Sequence, residues 1–546
     1  MTLKTSLKAT AFVVLAGCMA SCGPSQQGNR KNCVDVAVFA INDFHAGLLS
    51  VPANRTPGAA HLIQTLDSLK AVYPYHITLT AGDNFGGSYF YKLTYENSPM
   101  PEFFKEMGIT VSTLGNHEFD DGQEKLADKW KHIQNYPEGW DMKYVCANVK
   151  DAEGNYPSFV QPWVVMPIQL PKGKVVNVGV MGLLTSNTPN QAKASNLTGL
   201  TFDGHYKEII DSLSQTPEFA PMKNSHIHVL LTHIGTYMKD GQPAWDDPDI
   251  ENLKSISTPE IDAIITGHSH ELVCGRINEA QYPVVQAKNY GAAISLLKFT
   301  VDTAAMKLVA TEPYVIPVSV KKQLNEKAKC FQKALDHLME TTHHASGAPI
   351  GQQLTVAKNN IPHDRHNKNR QSVIGGWACT AFAEAYRQAA QLGDEVPVVG
   401  ISHFGNIRTG IAEGAVRVLN VGEILPFGNA IRVFKMNGEH LMKLLNVGFH
   451  NKKYGQIQIA NMDVALDEQK NPQSITYVSP KGVKKTIGAQ DICYVCADEF
   501  MTTGGDGYPE ELFPAGMEVK NIKDMPNTTN AFIQYLKTKP FIENPE

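Results

Sequence analysis

Net charge is what this chain has least of: 49 Lys and Arg against 54 Asp and Glu leave a formal charge of -5 over 546 residues. That balance offers no clustered basic face for a nucleic-acid polymer, so any phosphate the protein handles must be met by local groups. Cysteine is sparse as well. Nine are scattered without a dense spacing pattern, which argues against a disulfide framework. Cys493 and Cys496 form a C-x-x-C within DICYVCADEF, but a zinc knuckle needs a second pair and none exists. Strand alternation places these two side chains on opposite faces, so both read as buried or half-buried thiols. The apolar run ATAFVVLAG (9 to 17) is too short for a bilayer, which needs about 20 such residues. What the chain does have is size. Its length exceeds one core, so two or three domains are expected, and 42% hydrophobic residues support ordinary globular packing.

Lys4 and Lys8 precede the apolar run, which is the pattern of an export signal over residues 1–17. The segment LAGC ending at Cys18 resembles the lipobox of bacterial lipoproteins, in which the cysteine becomes the acylated first residue of the mature chain. Cys22, after MAS, is the weaker candidate because Met19 stands where a branched apolar residue is expected. Residues 18–32, including the polar stretch GPSQQGNRKN, read as a tether between lipid and fold. The expected location is exported, in the periplasm or anchored at the outer membrane of a bacterium. A cleaved secretory signal with an incidental cysteine is the alternative.

From about residue 34 to 315 the pattern is strand, polar loop, helix, repeated. VDVAVFAIND and HITLTAGDN are β-rich, and between them AAHLIQTLDSLKAVY (59 to 73) sets Leu62, Ile63, Leu66 and Leu69 on one helical stripe. VVNVGVMGLLT, HIHVLLTHIG and IDAIITGHSH repeat the strand signal. Alternating strands and helices predict an α/β layered domain, in which ligands collect where loops leave the carboxyl ends of strands. Those ends carry Asp43 and His45 (INDFHAG), Asp83 (TAGDNFGG), Asn116, His117 and Asp120 (LGNHEFD), His233 (LTHIG), and His268 and His270 (TGHSH). Each alone suits a polar turn or a solvated histidine. Five loops delivering such residues together suit a pair of divalent ions, about 3.5 to 4 Å apart, that share a carboxylate and acidify water. Mixed nitrogen and oxygen donors favour zinc, manganese, iron or cobalt over calcium or magnesium. Asp83, alone on its Gly-flanked turn, is the expected bridge.

The series D-x-H, GD-N, GNHE, a later single His and GH-x-H resembles the calcineurin-like metallophosphoesterase superfamily, and GNHEFD with NDFH resembles its 5'-nucleotidase branch, which includes the UDP-sugar hydrolases. The resemblance implies one metal at Asp43, His45, Asp83 and His270 and another at Asp83, Asn116, His233 and His268. It also implies that Asp120 pairs with His117, which then stabilises charge on the transferred phosphoryl group or protonates the leaving oxygen. Glu118 and Asp121 read as turn or supporting residues. Two departures, Ala46 where the branch usually has Gly and His270 where some members have Gln, remove no donor. His226 and His228 read as packing or exposed residues, and His343 and His344 sit in a linker-like stretch.

Residues 318–345 have helix-forming composition, with Leu324, Ala328, Phe331, Leu335 and Leu338 at helical spacing. Beyond them HFGNIRTG, LPFGNAIRVFKMNG and DEFMTTGGDGY resemble the 5'-nucleotidase C-terminal domain. That likeness implies Arg408 at the phosphate or ribose, Phe427 and Phe500 as two sides of a base slot, Asn429 at the base edge and Asp506 at the ribose hydroxyls. Stacking on an aromatic face contributes about 1 to 3 kcal/mol and tolerates any base. His403 and Asn406 stand where the family commonly shows Asn and Gly. The basic phosphate-binding pair lies among Arg365, Lys368 and Arg370, in a register the sequence leaves open.

The expected fold is therefore α/β, α+β overall: a four-layer α/β/β/α metallophosphoesterase domain over 33–317, a linker helix over 318–345, and a second α/β substrate-binding domain over 346–546. The expected activity is hydrolysis of nucleotides by a monomer with two divalent metals (Zn, Mn or Co), through in-line attack of hydroxide on phosphorus. Nucleoside monophosphates, UDP-sugars and 2',3'-cyclic nucleotides are all admitted. The alternatives are a hydrolase of the same fold acting on a non-nucleotide phosphoester or sulfur ester, and a non-catalytic nucleotide-binding lipoprotein.

Overall fold

The computed structural model describes residues 32–545, apart from 51–55, 96–97, 137–139, 246–252, 254–255, 257–260, 279, 345–347 and 366. The export signal and both candidate lipidation cysteines, Cys18 and Cys22, lie outside the described residues. No helix among those described is long and apolar enough to cross a membrane.

The first strand shows why the N-terminal part stacks in layers. In Cys33–Ile41 every second side chain turns to the same face. Val36, Val38 and Ala40 join Val178, Val180, Val229 and Leu231 in a core between two sheets. Ala37, Phe39 and Ile41 join Leu62, Ile63 and Leu66 of the helix Ala59–Val72 on the outer side. Seven described strands form the first sheet, in which Cys33–Ile41 lies antiparallel to Ala293–Asp302 and parallel to His76–Thr80, and His76–Thr80 in turn lies parallel to Ile109–Thr113. Six form the second, where Ile227–His233 lies parallel to both Val175–Leu184 and Ala263–Ile265. Tyr206, Ile210, Phe219 and Met222 cover its far face. The result is helix, sheet, sheet, helix, and the parallel strands send their carboxyl-end loops to one edge.

Within 318–345 the helix itself runs only Glu326–Thr341, because the Asn325 side chain accepts from Ala328 N and starts it there, leaving Leu324 ahead of the cap. Its apolar stripe does not bridge open space. Phe331 and Leu335 complete the core that also holds Leu62 and Phe103.

The C-terminal part is built on a sheet ordered Ile431–Asn437, Ile492–Asp498, Val398–Ser402, Gln458–Ala460. One face packs on Ala378, Ala381 and Phe382 of the helix Val373–Ala389, and the other on Leu441, Leu444 and Leu445 of the helix Gly438–His450. Cys493 and Cys496 lie on the same strand and enter these two different cores, each fully buried.

Phe331→Ala is expected to destabilise the N-terminal part by about 3–5 kcal/mol, measured as a lowered denaturant midpoint. An unshifted midpoint would place the helix outside that core.

Candidate active site and metal centre

Asp43 and His45 follow the strand Cys33–Ile41, Asp83 follows His76–Thr80, Asn116 and His117 follow Ile109–Thr113, His233 closes Ile227–His233, and His268 and His270 follow Ala263–Ile265. The loops meet. Donor atoms of Asp43, His45, Asp83 and His270 all lie within 4.8 Å of one another. His233 Nε2 stands 3.2 Å from Asp83 Oδ2, Asn116 Oδ1 stands 3.0 Å from His268 Nδ1, and the His233 and His268 rings are 5.2 Å apart. All seven candidate ligands thus occupy one place.

Divalent cations suit this arrangement. His233 directs Nδ1 at the Ala81 carbonyl, 2.6 Å away, so the N–H donates there and the Nε2 lone pair faces the acids. That Nε2 is buried without a hydrogen-bond partner. His45 and His270 bring their Nε2 atoms within 3.0 Å of each other, an approach that a shared cation would explain better than a shared proton. Asp43, His45, Asp83, His268 and His270 all have φ between 49° and 76°, the left-handed region that non-glycine residues rarely adopt.

Glu118 holds the acid loop in place. Fully buried, it accepts from Asp83 N (2.8 Å), Asn84 N (2.7 Å), Gly115 N (2.7 Å) and the Asn84 amide (3.1 Å). A Cβ at Gly115 would meet Asp83 Oδ1 at 2.2 Å, so only glycine lets the two loops approach. Asp121 pairs instead with the buried Lys129, 2.7 Å away.

His117 sits beside the cage with Nδ1 2.9 Å from Asp120 Oδ2. Burial works against its charge, yet the Asp120 and Asp83 carboxylates outweigh burial and raise its pKa above the ordinary imidazole value. Its backbone N–H donates to Asp83 Oδ1 at 2.9 Å.

A cavity of about 1100 Å³ opens from this cage between the two halves of the chain. Arg365, Lys368, Arg408, Phe427, Asn429, Phe500 and Asp506 line it, whereas Arg370 does not. Phe427 lies nearly parallel to the His117 ring at 6.0 Å, with the Arg408 guanidinium 5.6 Å over it. Phe500 packs instead against His403, 5.1 Å between rings. Arg408 is buried, and its Nε and Nη2, like Nη1 of Arg365, lack hydrogen-bond partners. Burial, reinforced by the like charge of Arg408, pushes the Arg365 pKa down to about 9. Polar contacts close the cavity sides: Lys193 to Glu499 at 3.2 Å, Asn187 to Tyr454 at 3.3 Å, and Lys92 to the Phe427 carbonyl at 2.8 Å.

Sequence reasoning passed over Asn289 and Tyr290. Asn289 sits 2.9 Å from His270 Nδ1, and the Tyr290 ring lies 5.3 Å from that of His45. The signal was present, since QAKNYG also ends a β-rich run, the strand Tyr282–Ala287. Gln191, 2.9 Å from His268 Nε2, lies outside any strand end and carried no such signal. Outside the site, His228 pairs with Asp262 at 3.0 Å, and His344 with Asn530 at 2.7 Å.

Residues 36–272 match the sequence profile of calcineurin-like phosphoesterases, and residues 349–511 match that of the 5'-nucleotidase C-terminal domain. The trifunctional nucleotide phosphoesterase protein YfkN of Bacillus subtilis (strain 168) is 24% identical over 87% of this chain; the alignment spans 32% of that longer relative. The apyrase of Anopheles gambiae is 26% identical over 87% of this chain and 83% of its own length. In fold, the crystal structure of a 5'-nucleotidase precursor from Thermus thermophilus superposes with a TM-score of 0.72 at 22% identity, covering 93% of this chain and 97% of that one.

Glu118→Ala removes the acceptor of three backbone N–H groups. It is expected to cost about 3 kcal/mol of stability or more and to weaken binding of manganese or zinc at least about tenfold by calorimetry. Undiminished metal affinity would show that Glu118 does not position the acid loop.

Proposed function

The chain belongs to the calcineurin-like phosphoesterases, carries a 5'-nucleotidase C-terminal domain and is a phosphoester hydrolase, and from that premise we propose that its substrates are nucleotides. One observation carries the reading: a cage of metal-type donors faces, across a single cavity, unpartnered guanidiniums beside aromatic rings. Asp43, His45, Asp83 and His270 would hold one divalent cation, and Asp83, Asn116, His233 and His268 a second, with zinc, manganese or cobalt best suited to the donor set. When bound, the pair supplies Lewis acidity toward the phosphoryl oxygens and lowers the pKa of water.

The protein's own groups do the rest. Arg408 and Arg365 bind the phosphate from the side opposite the cage, where their unused N–H donors match its oxygens. His117, held charged by Asp120, directs its Nε2 proton to a phosphoryl or leaving-group oxygen. Phe427 and Phe500 offer apolar faces to the base, Asn429 its amide, and Asp506 a carboxylate to the sugar. The division at 33–317, 318–345 and 346–546 then separates chemistry from recognition, and rotation of the second domain would carry the phosphate to the cage.

Phosphate release from AMP, UDP-glucose and a 2',3'-cyclic nucleotide tests the proposal. Release is expected to vanish with a chelator and to return with manganese or zinc, and His117→Ala is expected to lower kcat by about 10²–10⁴-fold. Turnover of a non-nucleotide ester alone would refute the nucleotide assignment, and silence with every metal would favour a binding protein.

The N-terminal pattern of Lys4, Lys8, residues 9 to 17 and Cys18 supports export and lipid attachment. Cys18→Ala is expected to move the protein from the membrane to the soluble fraction, with the acyl mass lost from its N-terminal peptide. Retention of that mass would transfer the anchor to Cys22.

A further inference from the structure

His403 ends the strand Val398–Ser402, is 4% exposed, and lines the cavity between Phe500 and Asp506. Both ring nitrogens face carboxylates. Nδ1 lies 2.6 Å from Asp506 Oδ2, and Nε2 lies 3.5 Å from Oδ1 of Asp498. Asp498 is itself committed to the fold, fully buried and accepting from Met501 N and Ser402 Oγ. Burial opposes a charge on His403, but the two acids outweigh it and raise its pKa. Nδ1 therefore ties the loop acid to His403, while Nε2, buried and without a hydrogen-bond partner, faces the acid fixed in the core.

Asp506 needs the tie. It stands in the Gly-rich turn Gly504 to Gly507 with φ 49° and ψ 34°, in the left-handed region. Asn451 secures its carbonyl at 2.8 Å. Its side chain is held through Oδ2 alone; Oδ1 makes no hydrogen bond among the described residues. A Cβ at Gly405 would meet Asp506 Oδ2 at 2.7 Å and His403 Nδ1 at 3.2 Å, so bare backbone there is a condition of the pair. A carboxylate with one oxygen clamped and the other free in a cavity is an acceptor of fixed direction. Beside an aromatic face, the chemistry that matches it is a vicinal diol on a ring attached to a flat base.

We infer that His403 is a positioning residue for sugar specificity: it clamps Asp506 Oδ2 so that Oδ1 accepts from the cis-diol of a ribose whose base lies against Phe500. This rests on the nucleotide reading proposed above. In the absence of the clamp the acid loses its direction, so a ribose should lose its advantage over a deoxyribose.

Steady-state kinetics of the full chain with AMP, 2'-deoxy-AMP and p-nitrophenyl phosphate test it. The wild-type KM for AMP is expected to lie about tenfold below that for 2'-deoxy-AMP. His403→Ala should raise the AMP value until the two converge, and His403→Gln, which still offers Asp506 a donor, should restore part of the gap. A gap that persists in His403→Ala overturns the inference. So does an equal rise in KM for p-nitrophenyl phosphate, which has no sugar and would report a structural role only. Should the alanine variant not fold, Asp506→Asn must narrow the same gap, and an unchanged gap there is equally fatal. If the wild type hydrolyses p-nitrophenyl phosphate but no nucleotide, the nucleotide reading falls and takes this inference with it; if AMP turns over and the gap is insensitive to His403, this inference alone falls.

Discussion

Two carboxylates and four imidazoles are held together in a largely buried space where, left to themselves, they would spread apart. Asp43 and Asp83 are at most 1% exposed, and His45 and His233 are fully enclosed. Taking such groups out of water is unfavourable unless opposite charge compensates them. The surrounding structure supplies the restraint. Parallel strands bring five loops to one edge, left-handed backbone turns the ligands inward, and Glu118 gathers three backbone N–H groups beneath Asp83. The sheets and their shared core are the frame that keeps this crowding from relaxing.

The opposite wall has the complementary difficulty. Arg408 and Arg365 bring like charges close together with donors unspent. Cations in the cage and an anion between them and the guanidiniums would answer both problems at once. The halves of the chain that carry these walls each have cores of their own, and they meet through an apolar contact, where Ile350 and Leu419 join the core of Tyr89 and Phe331, and through polar contacts such as Lys193–Glu499 and Asn187–Tyr454.

Much of this was legible in the sequence because the signal was local. Each cage residue sits a few positions beyond a β-rich run or at its end, so strand periodicity and residue type together pointed to it. The layered fold was legible for the same reason: alternate residues of Cys33–Ile41 serve two cores. What was not legible depended on register over long distances. Arg365 and Arg370 look alike in HDRHNKNRQ, and only the packed chain turns the first toward the cavity. Phe427 and Phe500, expected as two sides of one slot, both line the cavity, and the ring neighbours they take there, His117 and His403, could not be read from the sequence. Gln191 and His403 serve partners 77 and 103 positions away. The start of the helix Glu326–Thr341 was missed because its apolar spacing runs past the Asn325 cap.

The pair Cys493 and Cys496 has a consequence for how such a chain matures. All seven cysteines among the described residues are free, and these two point away from each other into separate cores. A disulfide requires Cβ atoms about 3.8 Å apart and facing, so an oxidant cannot join them without tearing the central strand out of its sheet. Burial pushes the Cys493 thiol up to about 12, leaving little thiolate to react. Maturation therefore ends in a fold that withholds both thiols from an oxidant and offers them no pairing with each other.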